Sequence, residues 1–233
     1  MTHHHDLTLV LVRHGETEGE SSIRYHGRND VALSELGRAQ MRAARREIEL
    51  RLGDFSFDHI FATPLSRAME GARLIAGTEA DIITVEEFTE VHFGLFEGLT
   101  KEEIAARHPI EFEKWRADPL APSYTYPEGE NRTAFTERVE RGLATTLKMI
   151  DAARRAESER VLIVAHRGVI RTIVRTLIDQ EPVVELASIQ ILARDAKWRP
   201  LVLDFTRIWI ASISICARAA IVEIVAREFP RAR

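Results

Sequence analysis

The sequence predicts a three-layer α/β/α sandwich around a mainly parallel central sheet. Short aliphatic runs at 7–12, 58–62 and 161–165 show no polar alternation, as expected of strands buried on both faces. Segments with apolar residues three or four apart lie between them, and β and α units alternate along the chain. No repeat, low-complexity tract or Gly/Ser linker divides the 233 residues. Residues 7–204 are therefore expected to form one domain, with 1–6 a disordered N-terminus and 205–233 a C-terminal, helical extension.

The elements follow in order. Strand 7–12 comes first; Ser34 can cap a helix running to about residue 50. After strand 58–62, Thr63 and Pro64 supply a cap and a first-turn proline for a helix to residue 76. Residues 82–85 are β-branched and strand-like. Thr100 and Glu103 make a capping box, and Pro109 must stop that helix. The stretch 109–130 holds four prolines and is expected to be an irregular excursion. Phe135, Val139, Leu143, Leu147 and Ile150 mark the longest helix. Strand 161–165, helix 169–178 and strands 188–193 and 198–205 complete the domain.

Composition narrows the function. A 45% hydrophobic chain with a net charge of −4 is neither disordered nor a polycation, so nucleic acid is not an expected partner. Cys216, the single cysteine, rules out an intrachain disulfide framework and cysteine-based zinc clusters. The most apolar stretch, 208–217, is ten residues long, whereas a bilayer span needs roughly 20. With no targeting signal at the start, a cytoplasmic protein without membrane association is expected.

In a parallel-dominated sheet, ligands bind beyond the carboxyl ends of the strands. Two such exits look alike here: Arg13-His14-Gly15-Glu16-Thr17 and His166-Arg167-Gly168. Each has a histidine just past a buried strand and a glycine that lets backbone approach a ligand. Arg67 and Glu90 sit near two further exits. Arginine forks match phosphate oxygens, histidine can be a covalent nucleophile, and a carboxyl group can protonate a leaving oxygen. The set suits phosphoryl transfer through a phosphohistidine, without metal or other cofactor.

The motif around Arg13-His14-Gly15 resembles the signature of the histidine phosphatase superfamily, which includes cofactor-dependent phosphoglycerate mutases. Four further stretches resemble family segments in family order, beginning at Asp30, Thr63, Glu90 and Pro127, followed by Val164-Ala165-His166. The resemblance implies a phosphoglycerate mutase-like fold, His14 as the phosphorylated nucleophile, Glu90 as general acid and base, and Arg13, Arg67 and His166 as holders of the phosphoryl group. The chain departs from mutases at Glu20, where they carry asparagine, and a carboxylate there repels a multiply charged substrate. It also lacks an adjacent basic pair in 99–130, and specificity for the alcohol half is expected to lie in 109–130.

A phosphomonoesterase acting on a small phosphorylated metabolite is thus the favoured reading, ahead of a mutase or a catalytically weak binding member of the fold. Thr17, Glu20 and Arg167 are candidate substrate-binding residues. Arg167 replaces a residue that is commonly Gly or Asn, so it is either an extra cation for substrate or a solvent-facing side chain. His26 and His92 read as structural, and Glu97 as ordering its loop. A zinc hydrolase built on His14, His166 and Glu90 is opposed by the charge of Arg13, and no HExxH is present. The apolar residues of 205–233 suggest a homodimer interface.

Overall fold

The structure, a computed structural model, describes residues 6–19, 23–53, 56–119, 121–154 and 156–205. Six strands form one sheet in the order β3-β2-β4-β1-β5-β6. The strands are β1 (Leu7–Arg13), β2 (His59–Ala62), β3 (Ile83–Thr84), β4 (Glu159–Ala165), β5 (Ile189–Arg194) and β6 (Trp198–Phe205). β3, β2, β4 and β1 run parallel, while β5 and β6 add an antiparallel edge. The expected fold class is the one observed. Both inner strands are buried throughout, because helices cover both faces.

Alternate residues of each strand define the two layers. Val10, Val12, Ile60, Ala62, Leu162 and Val164 face α1 (Glu35–Leu52) and α2 (Ser66–Ala76), which contribute Met41, Ala44, Ile48, Ala68, Ala72 and Ile75. Leu9, Leu11, Phe61, Val161 and Ile163 face the other way, onto α5 (Arg132–Ala153) and α6 (Arg167–Ile178). There Phe135, Val139, Leu143, Ile150, Ile170 and Ile173 fill the core, so the spacing that marks α5 in the sequence is its buried face.

Local signals hold at several helix ends. Ser34 Oγ accepts from Gly37 N at 3.0 Å, and Thr100 and Glu103 form the reciprocal capping box of α3 (Lys101–Arg107). Two expectations are corrected. The helix expected from Thr63-Pro64 starts at Ser66, because the Thr63 hydroxyl is committed 2.9 Å from His166 Nε2. The first turn is capped instead from afar, with Asp30 Oδ1 accepting from Ser66 N and Oγ at 2.8 and 2.7 Å. The excursion 109–130 is not irregular throughout. Pro109, which ends α3, also opens α4 (Pro109–Ala117), since a missing N–H costs nothing at the first helical position.

The proposed C-terminal helix and homodimer interface at 205–233 lie, beyond Phe205, outside the described residues. Among the described residues no helix is long and apolar enough to cross a membrane.

Candidate active site

Strand register brings the two histidines together. β1 and β4 pair in parallel with Arg13 opposite Ala165, so His14 and His166 leave the sheet side by side. Their rings meet edge to face at 5.1 Å between centroids, and both are buried. Burial pushes each pKa well below the usual histidine value, with Arg67 adding to the shift at both, so both rings are neutral. The His14 Nδ1 lies 2.7 Å from the Gly15 carbonyl, which can only accept. The proton is therefore on Nδ1, and Nε2 carries a free lone pair.

His166 is held differently. Thr63 Oγ1 accepts from Leu65 N at 3.3 Å and lies 2.9 Å from His166 Nε2, a hydrogen bond that either group can donate. The Nδ1 of the ring is a buried atom with no hydrogen-bond partner among the described residues.

Two arginines complete the floor. Arg67, from the first turn of α2, is fully buried, and burial lowers its pKa. Its guanidinium donates to the carbonyls of Asn29 (2.7 Å), His26 (3.1 Å) and Gly27 (2.7 Å). Arg13 donates through Nη1 to the Val184 carbonyl at 3.1 Å, and burial, reinforced by Arg167, pulls its pKa down to about 10. The Nε of each arginine is buried without a partner among the described residues. Two orphaned arginine donors and an orphaned imidazole nitrogen thus accompany a histidine with a free lone pair, and buried polar atoms without partners call for an explanation.

Glu90 follows the short 3-10 turn after β3 and is buried. Its carboxylate accepts from Val91 N and Gly168 N, both at 3.0 Å. The second bond ties it to the first turn of α6, whose N-terminus favours negative charge. Gly168 permits the approach: a Cβ there would stand 2.5 Å from Glu90 Oε1.

Above this floor opens a cleft of about 510 Å³, whose wall includes Arg13, His14, Glu90 and Arg167. Arg67 and His166 lie buried beneath it. Arg167, at the start of α6, donates through Nε to the Val184 carbonyl that also takes Arg13, and pairs with Glu185 at 3.2 Å. Thr17 is buried in an antiparallel bridge with Leu33 and does not line the cleft. Glu20 lies outside the described residues.

Sequence reasoning missed most of the remaining wall: Ile23, Arg24, Tyr25, His26, Phe93, Lys101, Glu102, Glu185 and Leu186. His26, read as structural, faces the cleft. None of the described residues of 109–130 lines it, contrary to expectation. Trp115 and Tyr126 of that stretch instead pack into the core behind Tyr25 and Phe93. Glu97 ties loop to loop, as expected, accepting from Gly27, Arg28, Asn29 and Phe93 N–H groups at 2.9–3.3 Å. Among the described residues no group of three or more His, Cys, Asp or Glu side chains is arranged to hold a metal ion.

A mainly parallel α/β sheet with paired histidines, two buried arginines and a carboxylate at its carboxyl edge defines the class of site. The chain belongs to the histidine phosphatase superfamily (branch 1), whose sequence profile matches residues 9–207. It is 33% identical over 172 residues to a bifunctional protein of Mycobacterium tuberculosis, covering 73% of this chain but only 44% of that protein. It is also 31% identical over 207 residues to the 2,3-bisphosphoglycerate-dependent phosphoglycerate mutase of Hamiltonella defensa (76% of this chain, 81% of the mutase). Among solved structures, mycobacterial glucosyl-3-phosphoglycerate phosphatase superposes with a TM-score of 0.68 at 26% identity, covering 85% of this chain and 99% of that one. Phosphatases and mutases both occur among these similar proteins.

Proposed function

We propose that this protein is a metal-independent phosphomonoesterase that hydrolyses a small phosphorylated metabolite through a phosphohistidine. One observation carries the reading: His14, whose Nε2 lone pair is free, lies in the field of Arg13 and Arg67, whose buried Nε atoms have no partner among the described residues. A phosphoryl group drawn to that positive floor presents phosphorus to the lone pair.

In the first step, Nε2 of His14 forms the N–P bond as the ester P–O bond breaks, and Glu90 supplies a proton to the leaving oxygen. The positive ring that results is stabilised by the Gly15 carbonyl on Nδ1. In the second step Glu90 takes a proton from water as its oxygen attacks phosphorus, and the N–P bond breaks to release phosphate and restore the neutral ring. Arg13, Arg67 and His166 neutralise charge on the equatorial oxygens throughout.

The same wall favours hydrolysis over transfer between two phosphorylated species. Arg24 is tied to Glu103 at 2.5 Å and Arg167 to Glu185, and Glu102 adds a carboxylate to the lining. A second phosphate would displace one of these carboxylates from its arginine or meet Glu102.

The test is hydrolysis of a simple aryl phosphate in the presence of a chelator. Phosphate release, an acid-labile phosphoenzyme and loss of both in His14→Ala are expected. Hydrolysis lost on chelation and restored by zinc overturns the mechanism. Conversion between phosphoglycerates outpacing phosphate release overturns the phosphatase reading in favour of the mutase.

A further inference from the structure

We propose that the cleft selects monoesters whose leaving group carries a flat, uncharged aromatic ring, with Tyr25 and Phe93 as the specificity-determining residues; this rests on the phosphatase reading above. Both side chains line the cleft that His14 and Glu90 also face. A leaving group bound in that cleft shares it with both rings.

The wall is aromatic in depth. Tyr25 and Phe93 meet edge to face at 5.1 Å, Phe93 meets Tyr126 at 5.0 Å, and Tyr25 meets Trp115 at 6.0 Å. Such a lattice holds its front rings in one orientation, so a bound ring costs little side-chain ordering. Ile23 and Leu186 add apolar surface to the same cleft.

The backbone beneath is stapled as firmly. Tyr25 donates to Leu99 O at 3.0 Å and accepts from Gly98 N at 2.7 Å. Two residues on, Gly27 passes so close to the opposite loop that a Cβ would stand 2.1 Å from Val91 O and 2.9 Å from Phe93 Cδ2. Glu97 joins the same two loops by accepting from Gly27 N and Phe93 N. The wall is therefore built before substrate arrives.

Charge argues for an uncharged ring. The cleft cations beyond the phosphate floor are engaged: Arg24 by Glu103, Arg167 by Glu185, and Lys101 5.7 Å over the Trp115 ring. Anionic leaving groups face Glu102 and Glu185 in the wall. Cationic ones share the cleft with Arg13 and Arg167.

Benzyl phosphate and glycerol 3-phosphate test this, since both release aliphatic-type alcohols, so the comparison reads the wall and not leaving-group acidity. The kcat/KM ratio, benzyl over glycerol, is expected to exceed tenfold in the natural protein. Tyr25→Ala and Phe93→Leu should bring it down severalfold, and Tyr25→Phe, which keeps the ring, should preserve it. Tyr25→Leu fills similar space without a ring and serves where the alanine variant does not fold. A ratio near one, or a ratio unmoved by Tyr25→Ala, Tyr25→Leu and Phe93→Leu, overturns the proposal while leaving phosphatase activity standing. Release of phosphate from neither ester overturns the phosphatase reading itself.

Discussion

Lowering pH should destabilise this protein through the two buried histidines of its candidate site. His14 and His166 are neutral when folded because burial and nearby arginines push their pKa values well below normal. The unfolded chain returns each to about 6.5. Because the folded values are depressed, this stability is fully present above the unfolded pKa. It is lost as pH falls from there toward the folded values, since the unfolded state then binds protons the folded state refuses.

Linkage limits the loss for each histidine to about 0.2 kcal/mol at pH 7 and about 2 kcal/mol at pH 5, ceilings set by the unfolded pKa alone. The pair therefore removes at most roughly 4 kcal/mol across that interval, against the ~5–15 kcal/mol typical of a domain. His26, also lowered by burial but half-exposed, acts in the same direction. Urea denaturation at half-unit steps between pH 7 and 5 measures it. His14→Gln should cut the fall by about half, whatever its stability at pH 7. An equal fall in the natural protein and the variant would falsify the assignment of a neutral, buried His14.

Two other substitutions probe the floor. Gly168→Ala places a methyl 2.5 Å from Glu90 Oε1 and must move the carboxylate, so kcat should drop about 100-fold with an unchanged circular dichroism spectrum; undiminished kcat contradicts the placement of Glu90. Arg67→Lys keeps the charge but cannot hold the Asn29, His26 and Gly27 carbonyls together. It should destabilise by about 2–4 kcal/mol in urea and raise KM for phosphate esters, and a variant matching the natural protein on both counts refutes the clamp.

The parts of the site legible in the sequence are those that strand ends dictate. An aliphatic run of strand length, followed by histidine and glycine, marks His14 and His166, and the β1–β4 register makes them neighbours. Arg67 and Glu90 sit near other exits and converge on the same floor. The cleft wall escaped notice because Arg24, Tyr25 and His26 lie in a loop with no periodicity, and Glu185 and Leu186 between α6 and β5. Nothing local says that Glu97 will bind Gly27 across 70 positions, or that Asp30 will cap α2 in place of Thr63. Such long-range bonds decide which loops face the ligand.

Charge placement explains why the floor takes an anion at all. Buried arginines are ordinarily matched by carboxylates. Here Arg13 and Arg67 donate chiefly to backbone carbonyls, those of Val184, His26, Gly27 and Asn29, while the nearby countercharges Glu90, Glu185, Asp30 and Glu97 act without a direct hydrogen bond to either. Carbonyls satisfy hydrogen bonds without cancelling charge, so the positive potential survives inside a protein of net charge −4. That potential helps keep His14 neutral, and in the proposed reaction it draws in a phosphate dianion. A carboxylate replacing those carbonyls would quiet the field and satisfy the same donors, giving up the attraction on which the proposed chemistry depends.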